Sequence, residues 1–248
     1  MLPDAGAMRS LAIPSGTSAQ VDVVIPVTSW RRDLVPSVLR LRSFLTAEFP
    51  YTAQLTIACD GSGRTWTAAR QLAATVGDVT ATRADVPGRG AALRAAWARS
   101  RCQVLTYTDP DLAVDPAVLI PLVAPLLAGQ ADIAVGTRLT PGARLQRQPR
   151  REVTSCGYSL LVQAGLGTGL ADVQCGCKAI TRLRALELLP LTSDADWFFD
   201  TELLLLAKRA GLRVREVAVN EAGEPGPRPG AVRIPGWLAS RIYRGNAA

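Results

Sequence analysis

The strongest constraint on the fold is an alternation of strand-like and helix-like segments near the start of the chain. Apolar runs lie at 21–27 and 54–59, and each precedes an amphipathic segment, at about 33–48 and about 65–75. Runs rich in Val and Ile predict buried strands, whereas apolar residues at helical spacing predict helices. This order predicts an α/β fold with a mostly parallel central sheet flanked by helices.

A third apolar run, at 104–108, leads directly into two carboxylates, Asp109 and Asp111, with Pro110 between them. Ligands of open α/β sheets bind outside the carboxyl ends of strands. Two carboxylates at such a position predict a hard divalent cation, Mg²⁺ or Mn²⁺, shared with the phosphates of a substrate. The alternative is a loop in which one of the two carboxylates only caps the next helix.

Asp60 follows the second predicted strand, in the sequence Asp-Gly-Ser-Gly. On its own this sequence is typical of a turn and a helix cap. Because the carboxyl ends of parallel strands share one edge of a sheet, we expect Asp60 at the same edge as Asp109. That position favours a role for Asp60 in ligand binding.

Arg89 lies between two glycines, Gly88 and Gly90, at the start of an alanine-rich helical segment. Glycines allow close approach of the backbone, a helix N-terminus favours an anion, and arginine supplies a fixed charge. The segment predicts a phosphate or diphosphate site, with an ordinary loop before a helix as the alternative. It matches neither G-x-G-x-x-G nor the P-loop, which disfavours dinucleotides and ordinary nucleotide hydrolysis.

The rest of the chain predicts further elements of the same kind. Helices are expected at about 116–128, 158–165, 183–189 and from 196 onward, and strands at 131–138 and 211–219. The segment 141–151 is rich in Arg, Pro and Gly and is interpreted as a mobile basic loop. Asp200 and Glu202 fall in a first helical turn, where acids commonly interact only with the helix dipole.

Composition limits the class of partner. The chain has 248 residues, 48% of them hydrophobic, and a net charge of +7, which fits one folded domain and anionic partners. Five scattered cysteines and no histidine disfavour a zinc site, a disulfide framework and any triad that uses histidine. We expect a reducing, cytoplasmic setting.

The ends of the chain are expected to lie outside the domain. Residues 1–20 predict a flexible leader, 21–219 the folded domain, and 220–248 a tail that faces the acceptor or a membrane surface. No run of about 18 apolar residues predicts a membrane span, so any membrane contact is expected to be peripheral, at the inner face.

Seven motifs together resemble family 2 nucleotide-sugar glycosyltransferases, in particular the polyprenyl-phosphate (dolichol-phosphate-like) branch. In order they lie at 23–27, 60–62, 88–92, 109–111, 136–138, 174–178 and 197–204. The resemblance implies a single Rossmann-like domain of glycosyltransferase A type. It also implies inverting transfer of a sugar from a nucleotide diphosphate sugar, with Mg²⁺ or Mn²⁺ on the two aspartates.

The resemblance also implies roles for individual residues. Asp109 and Asp111 bind the metal, and the donor is bound by Pro26, Val27, Asp60, Arg89, Gly90, Asp109 and Pro110. The acceptor is met by Arg138, Arg150, Arg151 and Lys178. Asp200 and Arg138 are the candidate catalytic residues. Asp200 would serve as the base for a hydroxyl acceptor, which needs a carboxylate to take its proton, whereas a lipid phosphate is already anionic and needs none.

The acceptor and the class of protein stay open at this point. Trp30 and Arg31 replace the family's usual acidic contact to the base, and no transmembrane hairpin is found, so a soluble hydroxyl acceptor competes with a polyprenyl phosphate. The sequence is also compatible with a nucleotidyltransferase, an inactive glycosyltransferase and a non-enzymatic, basic nucleic-acid-binding domain. Most aromatic residues lie in apolar contexts, which disfavours the nucleic-acid binder.

Overall fold

The computed structural model describes residues 19–29, 32–61, 63–138, 172 and 175–219. Seven strands form one sheet in the order β3-β2-β1-β4-β6-β5-β7. In chain order these are β1 (Val21–Val27), β2 (Ala53–Cys59), β3 (Val79–Arg83), β4 (Val104–Thr108), β5 (Ile133–Thr137), β6 (Cys177–Thr181) and β7 (Val214–Ala218). The predicted α/β class and mostly parallel sheet are confirmed.

Within the described sheet, β6 alone runs against its neighbours. It pairs antiparallel with β4 on one side and with β5 on the other, whereas β1 pairs parallel with β2 and β4. This reversal brings the start of β6 to the edge where β4 ends. Gly176, which directly precedes β6, therefore lies beside Asp109.

Within the described ranges, six helices cover the two faces of the sheet, three on each. They are α1 (Leu34–Ala47), α2 (Gly63–Thr75), α3 (Arg89–Arg99), α4 (Leu119–Leu127), α5 (Arg182–Leu188) and α6 (Phe199–Arg209). One apolar core packs α1, α2 and α4 against the sheet, and the other packs α3, α5 and α6. Each helix buries one apolar stripe, as amphipathic helices of an α/β domain do.

The predicted elements are confirmed where the structure describes them, with small differences at their ends. The predicted helix at 116–128 begins as a 3₁₀ turn, Pro116–Val118, in which the carboxylate of Asp115 accepts the N–H of Ala117 at 3.0 Å. The predicted helix at 158–165, the basic segment 141–151, most of the leader and the tail lie outside the described residues. No helix in the described ranges has the length and apolar character that crossing a membrane requires.

Candidate active site

The candidate crevice of this sheet is the point between β1 and β4 where the strand order switches. The pairing of β1 with β4 ends at Val24 and Tyr107, whereas the pairing of β1 with β2 continues to Val27 and Cys59. The chain winds from β1 outward to β3 on one side and continues with β4 on the other. Such a switch in strand order is where open α/β sheets bind ligands. Pro26 and Val27 lie beyond the last β4 pair, at this crevice.

The predicted acidic residues lie along the same edge of the sheet, the edge at which the parallel strands end. Asp60 follows β2 and Asp109 follows β4, and both strands run parallel to β1. The expectation that they share one edge is therefore confirmed. The Asp109 side chain is only 12% exposed, and Asp111, two residues on, is partly exposed.

Asp111 caps a turn, one of the two roles that the sequence left open, and its role as a metal ligand stays a prediction. One of its carboxylate oxygens accepts the N–H of Ala113 at 3.2 Å, which caps the turn after β4. Its second oxygen accepts no hydrogen bond from the described residues. The cap fixes the carboxylate and still leaves an oxygen for a ligand.

Gly176 gives Asp109 the space it occupies. Its carbonyl accepts the N–H of Asp109 at 3.1 Å, and a Cβ at Gly176 would lie 2.2 Å from Oδ2 of Asp109. Only a glycine therefore fits here without moving the carboxylate. Among the described residues, no group of three or more acidic, cysteine or histidine side chains is arranged to hold a metal ion. Two carboxylates with hard oxygen donors fit Mg²⁺ or Mn²⁺ when phosphates and water supply the remaining ligands.

Arg89 bridges two aspartates inside the site. Its Nη1 donates to Oδ2 of Asp200 at 2.7 Å, and its Nη2 donates to Oδ1 of Asp109 at 3.3 Å. The guanidinium lies 4.7 Å from the ring centre of Tyr107 and 4.9 Å from that of Trp197. Burial lowers the pKa of Arg89, but the charges of Asp200, Tyr107 and Asp109 together outweigh it and the pKa lies well above the ordinary value. Nε of Arg89 is buried and has no partner in the described part of the chain.

Asp200, the predicted base, is a buried carboxylate surrounded by donors. Its Oδ1 accepts the hydroxyl of Tyr107 at 2.7 Å and lies 3.6 Å from Nζ of Lys178. Burial raises the pKa of Asp200, but the positive charges of Arg89 and Lys178 outweigh this effect and the pKa is lowered. A carboxylate with a lowered pKa is a weak proton acceptor near neutral pH.

Lys178 lies beneath the site and is only 1% exposed. Its Nζ donates to the carbonyl of Cys175 at 2.8 Å and to the hydroxyl of Tyr107 at 3.0 Å. These contacts tie the loop that carries Gly176 to the strand that ends at Asp109. Lys178 is thus near the predicted site but is already engaged by the protein.

Arg138 forms a buried ion pair with Asp172. Its Nη2 donates to Oδ1 of Asp172 at 2.9 Å, and its Nε contacts Oδ2. Burial raises the pKa of Asp172, but the hydrogen bonds and charge of Arg138 outweigh it and the pKa is lowered. The guanidinium is 3% exposed, so its charge is largely compensated inside the protein. Its predicted contact with an acceptor stays a prediction, and Arg150 and Arg151 lie outside the described residues.

The glycines around Arg89 pack the start of α3 against the segment before α6. Gly88 has a φ of +123°, and a Cβ there would lie 2.1 Å from the carbonyl oxygen of Ala195. The same carbonyl accepts the N–H of Ala91 at 2.9 Å. This packing fixes Arg89 in place, and it engages part of the helix N-terminus that the sequence assigned to a phosphate.

Sequence reasoning gave no role to Tyr107, Trp197 or Asp172. Tyr107 lies on the predicted strand two residues before Asp109, and a buried tyrosine hydroxyl normally needs a polar partner. A buried tyrosine in the predicted strand therefore indicates that its hydroxyl has a polar partner, but it does not indicate which residue that partner is. Four free cysteines are described, and Cys175 and Cys177 lie with their Sγ atoms 3.7 Å apart on either side of Gly176.

Comparison with curated proteins gives relatives of one kind. Glycosyltransferase AglD of Haloferax volcanii is 34% identical over 242 residues, which is 95% of this chain and 38% of AglD. Dolichyl-phosphate beta-glucosyltransferase ALG5C of Trichomonas vaginalis is 32% identical over 145 residues, which is 55% of this chain and 43% of that protein. The chain thus spans less than half the length of either relative.

Solved structures share the fold. Glucosyl-3-phosphoglycerate synthase of Mycobacterium tuberculosis, in complex with Mn²⁺, UDP and glucosyl-3-phosphoglycerate, superposes with a TM-score of 0.59 at 18% identity. The match covers 91% of this chain and 76% of that one. The predicted glycosyltransferase A type of fold is confirmed.

A family comparison matches residues 22–188, well over half of the chain and nearly all of the sheet. The matched region includes the crevice between β1 and β4, Arg89, both aspartates of the 109–111 motif and Gly176. This chain belongs to Glycosyl transferase family 2.

Proposed function

We propose that this chain transfers a sugar from a nucleotide diphosphate sugar to a polyprenyl phosphate or a similar phosphate acceptor, with inversion and with a divalent cation. The observation that carries the proposal is the contact of Arg89 with Asp109 at the crevice, with Asp111 two residues away. The fixed positive charge of Arg89 can stabilise the leaving diphosphate, and the two carboxylates can bind the metal that neutralises it. Family membership and the dolichyl-phosphate glucosyltransferase relatives support the same class.

Asp109 and Asp111 would hold Mg²⁺ or Mn²⁺, which supplies charge neutralisation for the departing diphosphate. Their oxygens are hard donors, and the backbone cap on Asp111 and the space left by Gly176 fix both carboxylates. In this proposal Arg89 donates to the diphosphate through Nε and Nη2. In the same proposal, the nucleoside is bound by Pro26, Val27, Asp60 and Pro110. Gly90 lets α3 pack closely against Phe199 and the segment before α6.

The state of Asp200 favours a phosphate acceptor. Its oxygens accept from Arg89 and Tyr107, and its pKa is lowered, so it is poorly suited to remove a proton from a hydroxyl. The oxygen of a phosphate acceptor is already anionic and attacks without a general base. In this proposal Asp200 positions Arg89, and a single displacement inverts the sugar.

The acceptor contacts divide into two groups. Arg150 and Arg151 follow the family's basic position and would meet the acceptor phosphate directly. Arg138 and Lys178 are buried and engaged by Asp172 and Asp200, so we assign them support of the site through their charge and position. A peripheral membrane contact near the acceptor is part of the same proposal.

The proposal is tested by transfer with matched acceptors. The purified chain is incubated with Mn²⁺ and UDP-, GDP- or dTDP-glucose, together with either a short polyprenyl phosphate or the polyprenol of the same length. Product is identified by mass spectrometry. We expect one donor to give product with the polyprenyl phosphate and none with the polyprenol. Asp109→Asn should abolish this product. Asp115→Asn should leave it unchanged, because Asp115 only caps a 3₁₀ turn.

Two outcomes contradict this function. Product with polyprenol but not with the phosphate would assign a hydroxyl acceptor and restore Asp200 as a base. Transfer that is unchanged by Asp109→Asn or by removal of metal with a chelator would remove the metal from the mechanism.

A further inference from the structure

We infer that Arg89 competes with the metal for Asp109, so that the cation binds tightly only together with the donor diphosphate. This inference rests on the proposed function, because it concerns the same crevice. It adds that metal and donor bind as a coupled pair, and that one arginine of this chain sets the coupling.

The two contacts of Arg89 differ in length. The contact with Asp200 is 2.7 Å and is supported by the hydroxyl of Tyr107 on the same carboxylate. The contact with Asp109 is 3.3 Å. The longer contact is the one that opens more readily, while Asp200 keeps the guanidinium at the site. Arg89 is therefore placed to release Asp109 without leaving the crevice.

Opposite charges already face each other in this region before any ligand binds. Among the described side chains, Arg89 and Lys178 carry positive charge beside the negative charges of Asp109 and Asp200, and these four are nearly buried. Asp111, which is partly exposed, adds a further carboxylate. A divalent cation alone would add positive charge beside the guanidinium in a region that solvent screens poorly, which is unfavourable.

A diphosphate removes this conflict. It brings negative charge together with the metal and offers oxygens to Nη2 of Arg89 when that nitrogen leaves Asp109. It also offers an acceptor to Nε of Arg89, which is buried and has no partner among the described residues. Stacking between Tyr107 and Trp197 keeps the guanidinium plane in place during this exchange. Metal and diphosphate therefore increase each other's affinity.

The test measures Mn²⁺ binding without any turnover. Free Mn²⁺ is followed by electron paramagnetic resonance in titrations of the wild type, Arg89→Gln and the control Arg94→Gln. Arg94 lies on the same helix and donates to the carbonyl of Asp194, away from Asp109. Each titration is repeated with UDP, GDP and dTDP and corrected for Mn²⁺ bound to the nucleotide in protein-free samples.

We expect Arg89→Gln to bind Mn²⁺ alone more tightly than the wild type, by roughly 5- to 150-fold, the usual range of coupling between sites. Arg94→Gln should bind as the wild type does. One nucleotide should tighten Mn²⁺ binding by the wild type and have much less effect on Arg89→Gln. Circular dichroism checks the fold, and Arg89→Lys, which keeps a charge between the aspartates, should give an intermediate affinity.

Equal affinity of the wild type and Arg89→Gln for Mn²⁺ alone would overturn the inference, as would an equal gain in Arg94→Gln. If both Arg89 variants fail to fold, the test uses the wild type alone. If a nucleotide binds to the wild type but leaves its affinity for Mn²⁺ unchanged, the coupling is contradicted. If Arg89→Gln gains affinity but no nucleotide binds to any variant, the competition stands and the proposed function fails.

Discussion

Gly176 has no side chain at the point where any side chain would collide with Asp109. We expect Gly176→Ala to destabilise the fold by about 1–3 kcal/mol, the usual cost of overpacking, and to weaken metal binding by displacing the carboxylate. Urea unfolding and Mn²⁺ titration measure the two effects. Gly63→Ala is the control, because a Cβ there meets nothing within 4 Å, and it should leave both quantities nearly unchanged.

The hydroxyl of Tyr107 connects the charges beneath the crevice. It donates to Asp200 at 2.7 Å and accepts from Lys178 at 3.0 Å. Tyr107→Phe leaves both buried partners with one hydrogen bond fewer, so we expect a loss of about 1–3 kcal/mol in the free energy of unfolding. Urea denaturation measures it. An unchanged midpoint and slope would show that the hydroxyl contributes nothing to the cluster.

Asp132 joins β5 to the edge strand β7. Its Oδ2 accepts the backbone N–H of Arg213 at 2.9 Å and Nε of Arg213 at 3.0 Å, just before β7 begins. The hydrogen bond from the Arg213 side chain lowers the pKa of Asp132 from 3.8 to about 2. The carboxylate of Asp132 therefore fixes the residues that precede two neighbouring strands, β5 and β7.

This pKa gives a pH dependence of known sign. Because the folded-state pKa of Asp132 lies below the unfolded value, its stabilisation is complete above pH 3.8 and is lost as the pH falls to about 2. Asp132→Asn should therefore reduce the acid sensitivity of the unfolding free energy in that window, as measured by urea titrations at several pH values. The exposed Asp85→Asn serves as the control, and a variant curve parallel to that of the wild type would contradict the assignment.

Local patterns predicted the elements better than their arrangement. Strands such as β1 and β4 are largely apolar and buried along their whole length, so the sequence alone identifies them. Two strands, β3 and β6, were not predicted. In β3 only Val79 of the five residues is buried, and the pattern is mostly polar. Nor does any local pattern encode the reversed direction of β6, which depends on its pairing with β4 and β5.

At the scale of the whole molecule, the site is assembled from distant parts of the chain. Asp60 and Asp109 were predictable because parallel strands end at one edge. The partners of Arg89 and Arg138 were not, since Asp200 lies 111 positions from Arg89 and Asp172 lies 34 from Arg138. Which buried charges meet depends on how α3, α6 and the loop before β6 pack, and sequence spacing does not contain that information.

The central claim is that Asp109 and Asp111 bind a metal and a nucleotide diphosphate sugar together. Thermal unfolding with UDP-, GDP- and dTDP-glucose, each with and without Mn²⁺, tests it most directly, because a ligand of the folded state raises the melting temperature. We expect one nucleotide to raise it only when Mn²⁺ is present, in the wild type and in Asp115→Asn but not in Asp111→Asn. A rise that needs no metal, an equal rise in Asp111→Asn, or no rise with any of the three donors would contradict the claim.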